Sequence, residues 1–404
     1  MTAAPHFIYM DHAATTPVLP EVADMVRAVT LEHWGNASSV HGFGQQARKL
    51  VEEARVKVAA LIGARPEEIV FTSGATESNN TVIKGAAEAL KAHGERIVIT
   101  AIEHPCVMEA ARTMGKRGWH VTHVKVDGRA TVDLDHLRRS LAEKTALVSV
   151  MLANNEVGTI EPVAEAARLA KERGAAVHTD ATQAVGRIPV DVNALGVDYL
   201  SLSAHKFHGP KGVGALFVRR GARLTPLLHG GEQEAGKRSG TLNVPGIAGL
   251  GVAAELARRD LDARATAVRA LRDRLEAGIT ARIPHCLLNG HPVERLPNHL
   301  NMSFEFVEGE AMLLSLDMHG VVCSTGSACS AGSLDPSHVL VAMGCAPARA
   351  HSSLRFSLGL ANTAADVDTV IEILAGVVQR LRRMSPTYAD FQRKRGMEAA
   401  GAGV

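Results

Sequence analysis

Aromatic side chains are scarce. Two tryptophans, three tyrosines and nine phenylalanines make up 3% of 404 residues, and the formal net charge is only +2. Binding to single-stranded nucleic acid needs a basic groove lined with stacking rings. This composition supplies neither, so no nucleic-acid partner is expected, and there is no strong field to draw the chain to an anionic surface. No apolar run approaches the ~18 residues of a membrane span. The first residues, MTAAPHFIYMDHAATTP, lack a basic stretch followed by an apolar one, so no secretory signal is expected. The five cysteines (Cys106, Cys286, Cys323, Cys329, Cys345) are odd in number and form no CxxC pair. That argues against a disulfide framework and against a structural zinc site, and makes cytoplasm the expected compartment.

What is present is alternation. EEIVFTSGATESNNTVIKGAAEALKAHG reads as a short apolar strand, a glycine turn and a helix, and RIVITAIEHPCVMEAARTMGKRG repeats the plan. ALVSVMLANNEVGTIEPVAEAARLAKERG and AAVHTDATQAVG continue it, and VDYLSLSAHKFHGPKGVGALFVRR reads as two strands around a Gly/Pro turn. Strands alternating with helices of this length imply an α/β fold: a mainly parallel sheet with helices on both faces. From about Val252 a long charged helical stretch leads into a second, smaller α+β unit containing LPNHLNMSFEF and HSSLRFSLGL.

Ligands of such sheets sit beyond the carboxyl ends of the strands. That rule selects residues 72–76, 103–105, 154–156, 180–183 and 203–206. Each segment has a plain reading and a functional one. Ser73–Thr76 is a strand-to-helix turn, or a phosphate cradle at a helix N-terminus. Asp180 is a helix cap, or the partner of a protonated ring nitrogen. Lys206 is a solvated cation, or a partly desolvated amine of the Schiff-base type. His104 is a structural hydrogen-bonder, or an imidazole stacked on a planar cofactor. Arg355 belongs to a solvated strand face, or holds a carboxylate with its planar fork. Cys329, in STGSACSAGS, lies in a plain flexible loop, or on a tether that lets a thiol travel.

The order of these motifs resembles the cysteine desulfurases of the NifS/IscS type, group I, within the fold-type I pyridoxal phosphate enzymes. The resemblance runs from YMDHAATTPV to RRMSP through GNASSVHGFG, FTSGATES, EHPCV, ANNEVGTIEP, HTDATQAVGRIPVD, SLSAHKFHGPKGVGALFVRRG, KRSGTLN, STGSACSAGSLDPSHVL and HSSLRFSLG. It implies a large cofactor-binding domain over residues 16–260 with a seven-stranded sheet. Residues 1–15 and 261–404 would form a small domain carrying the Cys329 loop and Arg355. Two departures are modest: Ala37 stands where the family has proline, and the cysteine loop exchanges small residues for one another.

The resemblance further implies that the cofactor is pyridoxal 5'-phosphate, bonded to Lys206. Asp180 would face the ring nitrogen, Gln183 the phenolic oxygen and His104 the ring face. Ala75, Thr76, Ser203 and His205 would hold the phosphate, joined by Thr241 from the second subunit of a homodimer. Asn155 would touch cofactor and substrate, and Arg355, with Asn36, would take the carboxylate of L-cysteine. Cys329 would accept the sulfur and hand it to a scaffold protein for iron–sulfur assembly, with nitrogenase maturation as one destination. No permanent metal site is implied, although Cys329 is a candidate transient iron–sulfur ligand. Lys206, Cys329 and His104 are the expected catalytic residues. A selenocysteine lyase, a cysteine β-lyase and a non-catalytic cofactor-binding module are the competing readings.

Overall fold

The computed structural model describes residues 7–325 and 335–401. Twelve strands are seen among them, in three sheets. β1 (Ile8–Tyr9) is followed by the strands of the large sheet: β2 (Ile69–Thr72), β3 (Arg96–Thr100), β4 (His120–Val124), β5 (Leu147–Ser149), β6 (Ala176–Asp180), β7 (Tyr199–Ser203) and β8 (Gly214–Val218). β9 (Cys286–Asn289), β10 (His299–Phe304), β11 (Val321–Val322) and β12 (Ser353–Ser357) complete the set.

The large sheet has the order β2-β8-β7-β6-β5-β3-β4. The pairs from β7 to β4 are parallel, while β8 pairs antiparallel with both β7 and β2. Only β8 is reversed, so the other six strands end on one side. β2, β5, β7 and β8 are buried along their whole length, as expected where helices cover both faces. β2 is nevertheless an edge strand, and an unpaired edge is a liability. Two side chains close it. Arg55 Nη1 donates to the Ile69 carbonyl at 2.7 Å, and Glu234 accepts from the Phe71 N–H at 2.8 Å. The two side chains pair with each other at 2.8 Å.

The helix Val244–Arg282 begins eight residues before the charged stretch read from the sequence, at a proline-containing first turn capped by Asn243. Its first half, through Ala257, packs in the core beneath the large sheet, together with helices Pro20–Glu32 and Gly42–Leu61. Val268, Leu275 and Ile279 belong instead to a second core with Ile8, Met10, Leu300, Phe304 and Phe356. Gly251 allows the first half to lie close to its neighbour: a Cβ there would stand 2.7 Å from the Ala54 Cα. β10 is the centre of the second sheet, antiparallel to β9 and β12. β1 pairs parallel with β11, so the start of the chain is knitted into the second unit. No helix among the described residues is long and apolar enough to cross a membrane.

Glu103, Glu156 and Glu161 are among the buried carboxyl groups of the described residues. Glu103 is fully inaccessible. Its Oε1 accepts from Thr100 Oγ1 and from the Met151 N–H, both at 2.8 Å, and its Oε2 has no partner among the described residues. Burial raises its pKa from 4.5 to about 8, with Asp180 adding to the rise and the two hydrogen bonds opposing it. A carboxyl whose folded pKa lies above its unfolded one stabilises the fold at low pH, and that contribution is lost as pH climbs from about 4.5 to about 8. Replacing it with a neutral amide should remove that slope. Thermal unfolding of Glu103→Gln is therefore expected to lose less Tm between pH 5 and pH 8 than the parent. Parallel Tm curves would show that Glu103 does not titrate in this window.

Candidate active site

The carboxyl ends of five of the six like-directed strands, all but β4, open onto one cleft of about 500 Å³. All five segments selected by the strand-end rule contribute to it: Ser73–Glu77, His104, Asn155, Asp180 with Thr182 and Gln183, and Ser203 with His205 and Lys206. Ala14 and Thr15 close one side. Lys211, read from sequence as a turn residue, sits in its turn and lines the cleft as well.

Lys206 stands in a single 3-10 turn after β7. Its Nζ donates to the carbonyl oxygens of Ala13 and Ala14, at 2.6 and 2.8 Å. Arg187 braces the same region, donating to the carbonyls of His12 at 2.8 Å and Lys206 at 3.2 Å and to the Gln183 side chain. Gln183 in turn donates to Ala13 O at 2.9 Å. The segment DHAATT therefore bridges the lysine to the second unit.

Asp180 ends β6. Its Oδ1 accepts from the Thr182 N–H at 3.0 Å, the short-range bond of the cap reading, while its Oδ2 accepts from Asn79 Nδ2 at 2.7 Å. Asn79 is buried and has no local signal in the sequence, because it lies one helical turn beyond the phosphate-type turn. At that turn Gly74 has φ +148, and a Cβ on Gly214 would stand 2.7 Å from its Cα. The helix that begins at Ala75 has no side-chain cap, so its first N–H groups face the cleft as anion donors.

His104 caps the helix Pro105–Lys116 through Nδ1, which accepts from the Cys106 N–H at 3.2 Å and lies 3.0 Å from Cys106 Sγ. An accepting Nδ1 leaves the ring proton on Nε2. Burial lowers the imidazole pKa, Lys206 and His338 add to this, and Asp180 opposes it. His104 is thus a neutral ring and not the local cation a nearby thiolate would need. Cys106 lines the cleft, because Pro105 starts the helix one residue earlier. Burial pushes its thiol up to about 12, and Asn79 donates to its sulfur at 3.1 Å. His205 is lowered to about 4, first by burial, then by Lys206, Lys211 and Arg187, and its Nδ1 meets Thr15 Oγ1 at 3.1 Å.

Three expected residues lie outside the cleft lining. Arg355 is buried on β12, with Nη2 donating to Asp11 Oδ1 at 2.8 Å and Nη1 to the Asn155 carbonyl at 2.9 Å. Asn36 is exposed and accepts from the Ser38 N–H at 2.9 Å. Thr241 is exposed in a loop. Cys329 falls outside the described residues, but the chain on both sides of it is anchored near the cleft. Ser324 pairs with Arg355 through two backbone hydrogen bonds of 2.7 and 3.1 Å. Ser337 donates to Glu156, and His338 Nε2 lies 3.0 Å from the Glu103 carbonyl. Cys323 is buried with its thiol pushed up to about 12 by burial, in keeping with a packing role.

The donor set suits pyridoxal 5'-phosphate. The lining combines uncapped helix N–H groups, Ser203 and His205 for a dianion, a carboxylate with its own buried amide partner for a pyridinium, and an amine. No group of three or more histidine, cysteine or acidic residues among those described is placed to hold a metal ion.

The comparisons with known proteins agree with this chemistry. Residues 8–370 match the family described as aminotransferase class-V. The cysteine desulfurase IscS of Dictyoglomus turgidum is 49% identical over 385 residues, covering 95% of this chain and 98% of that protein. A solved NifS-like protein superposes with TM-score 0.87 at 40% identity, over 93% of this chain and 100% of that one. The solved structure of SspA in complex with cysteine superposes with TM-score 0.77 at 34% identity, over 87% and 99%. The chain belongs to the pyridoxal phosphate-dependent aminotransferase class-V family, and within it to the cysteine desulfurases.

Proposed function

We propose that this protein removes sulfur from L-cysteine, releasing L-alanine and leaving a persulfide on Cys329 that is passed to a scaffold protein for iron–sulfur assembly. The observation that carries the reading is the convergence of Lys206, Asp180 and His104 on one cleft, with the segment that holds Cys329 tied down on both sides of it. We read the chain as two units, 16–260 bearing the cofactor and 1–15 with 261–404 bearing Arg355 and Cys329.

Bound pyridoxal phosphate supplies an electron sink that lets the substrate α-proton leave and weakens its Cβ–S bond. Every other task falls to side chains. Lys206 carries the cofactor and, when released, takes the α-proton. Asp180, oriented by Asn79, would keep the ring nitrogen protonated, and Gln183 would take the phenolic oxygen. His104 would stack on the ring as a neutral imidazole with its proton on Nε2. Ala75, Thr76, Ser203 and His205 hold the phosphate, and Thr241 of the partner subunit completes that site in a homodimer, which suits its exposure here. Arg355 takes the substrate carboxylate, helped by Asn155 and Asn36.

Cys329 then attacks the substrate sulfur as a thiolate. A new S–S bond forms, the Cβ–S bond breaks, and its electron pair stays with carbon and picks up a proton. One thiol and one cysteine thus give one persulfide and one alanine without an external oxidant. An ordinary cysteine has pKa ~8.5, so the Cys329 thiol must give up its proton before it attacks. The SspA structure holding cysteine supports the substrate by analogy of fold.

Two outcomes test this. Cys329→Ala should keep the visible absorbance of the bound cofactor and lose sulfide release and alanine formation. The parent exposed to L-cysteine should gain one sulfur on the Cys329 peptide by mass spectrometry. Normal turnover by the variant would favour a β-lyase instead. Removing the amide that orients Asp180 costs a charge-assisted hydrogen bond of about 1.5–3 kcal/mol. Asn79→Ala is therefore expected to bind pyridoxal phosphate at least about tenfold more weakly in an absorbance titration of apoenzyme. Unchanged affinity would remove Asn79 from the site.

A further inference from the structure

The Arg355 guanidinium is almost fully enclosed, with its side chain only 3% exposed. A buried arginine normally has its N–H groups paired. Here Nη1 is satisfied by the Asn155 carbonyl and Nη2 by Asp11, while the buried Nε has no hydrogen-bond partner among the described residues. Nε and Nη2 form one edge of the planar fork, the edge that takes a carboxylate through two parallel N–H···O bonds. Asp11 supplies only one oxygen to that edge. The site is therefore held by a carboxylate without being filled by it.

Asp11 is free to yield in a way its backbone is not. Its neighbours bond to β12, with Ser357 N donating to Met10 O at 2.7 Å and His12 N donating to Ser357 O at 3.1 Å. The side chain is 17% exposed, well above the arginine it pairs with, so it has solvent to swing towards. Two carboxylates on one guanidinium would leave an uncompensated buried negative charge, which is expensive.

We propose that Asp11 is a resident counter-ion that occupies one arm of the Arg355 fork until a substrate carboxylate arrives, and that it sets affinity for amino acid carboxylates by competing for that arm. The inference rests on the reading of Arg355 as the carboxylate site. Asp11 acts through Arg355 and is a positioning residue. The cost of displacing it is paid when substrate binds, before any bond changes, so it weakens ground-state and transition-state binding alike and enters KM rather than kcat.

The test uses holoenzyme variants Asp11→Asn and Asp11→Ser, with L-cysteine turnover and with binding of L-alanine read from the cofactor absorbance. Removing the competing charge is expected to lower the Kd for L-alanine and the KM for L-cysteine, each on the order of tenfold for one partly screened ion pair. The change should be carried by KM and not by kcat. Folded variants whose Kd and KM are unchanged or raised would overturn the proposal, since Asp11 would then merely hold the guanidinium in place. If neither variant folds, a structure of the parent with L-alanine decides. Displacement of Asp11 Oδ1 from Arg355 Nη2 by the ligand carboxylate supports the proposal; retention of that pair with alanine bound elsewhere refutes it. Arg355→Gln separates the two levels. If it raises the Kd for L-alanine while the Asp11 variants do not lower it, the competition fails and the carboxylate reading stands. If it leaves the Kd unchanged, both fail.

Discussion

An ammonium group held by two backbone carbonyls organises this molecule. Lys206 donates to Ala13 and Ala14 from the end of a wholly buried strand. The strand fixes the lysine, and the carbonyls belong to a segment whose preceding residues pair with the second unit. These two pieces, nearly two hundred residues apart in sequence, meet at one amine beside the cleft. Arg187, half-buried behind them, donates to both and to Gln183, so that the two pieces share one brace.

Around this amine the protein spends burial on keeping groups neutral. His104 and His205 are lowered by desolvation, and Glu103 and the Cys106 thiol are raised by it. Charged side chains at or beside the cleft include Asp180, Lys206, Lys211, Arg187, the Glu77–Arg238 pair and the Arg355–Asp11 pair. In a site of low effective dielectric each remaining charge acts with greater force. A carboxylate can then favour one protonation state of a ring without competition from its neighbours.

Much of this was legible in sequence for a physical reason. Short apolar runs followed by Gly, Ser, Thr or Asp announce strand ends, and strand ends of a parallel sheet share a face. Asp180, Lys206 and His104 fall into one group on that pattern alone. The single reversed strand β8 was legible as two strands about a Gly/Pro turn, but its insertion between β7 and β2 was not. Asn79 and Arg187 carry no local signature, since their importance comes from partners far away in the chain. Asp11 was visible within YMDHAATTPV as part of a family pattern, yet nothing in its neighbours points to an arginine more than three hundred residues later. Burial of Arg355 reversed the ordinary expectation that an arginine on an alternating strand faces water, because β12 is covered on both sides.

The account stands or falls on which amine holds the cofactor. Two lysines line the cleft, Lys206 and Lys211. Borohydride reduction of the holoenzyme fixes the cofactor to the amine that carries it, and peptide mass spectrometry then locates the label. The account predicts the label on Lys206 alone. A label on Lys211, or recovery of all the cofactor free in solution after reduction, would contradict it.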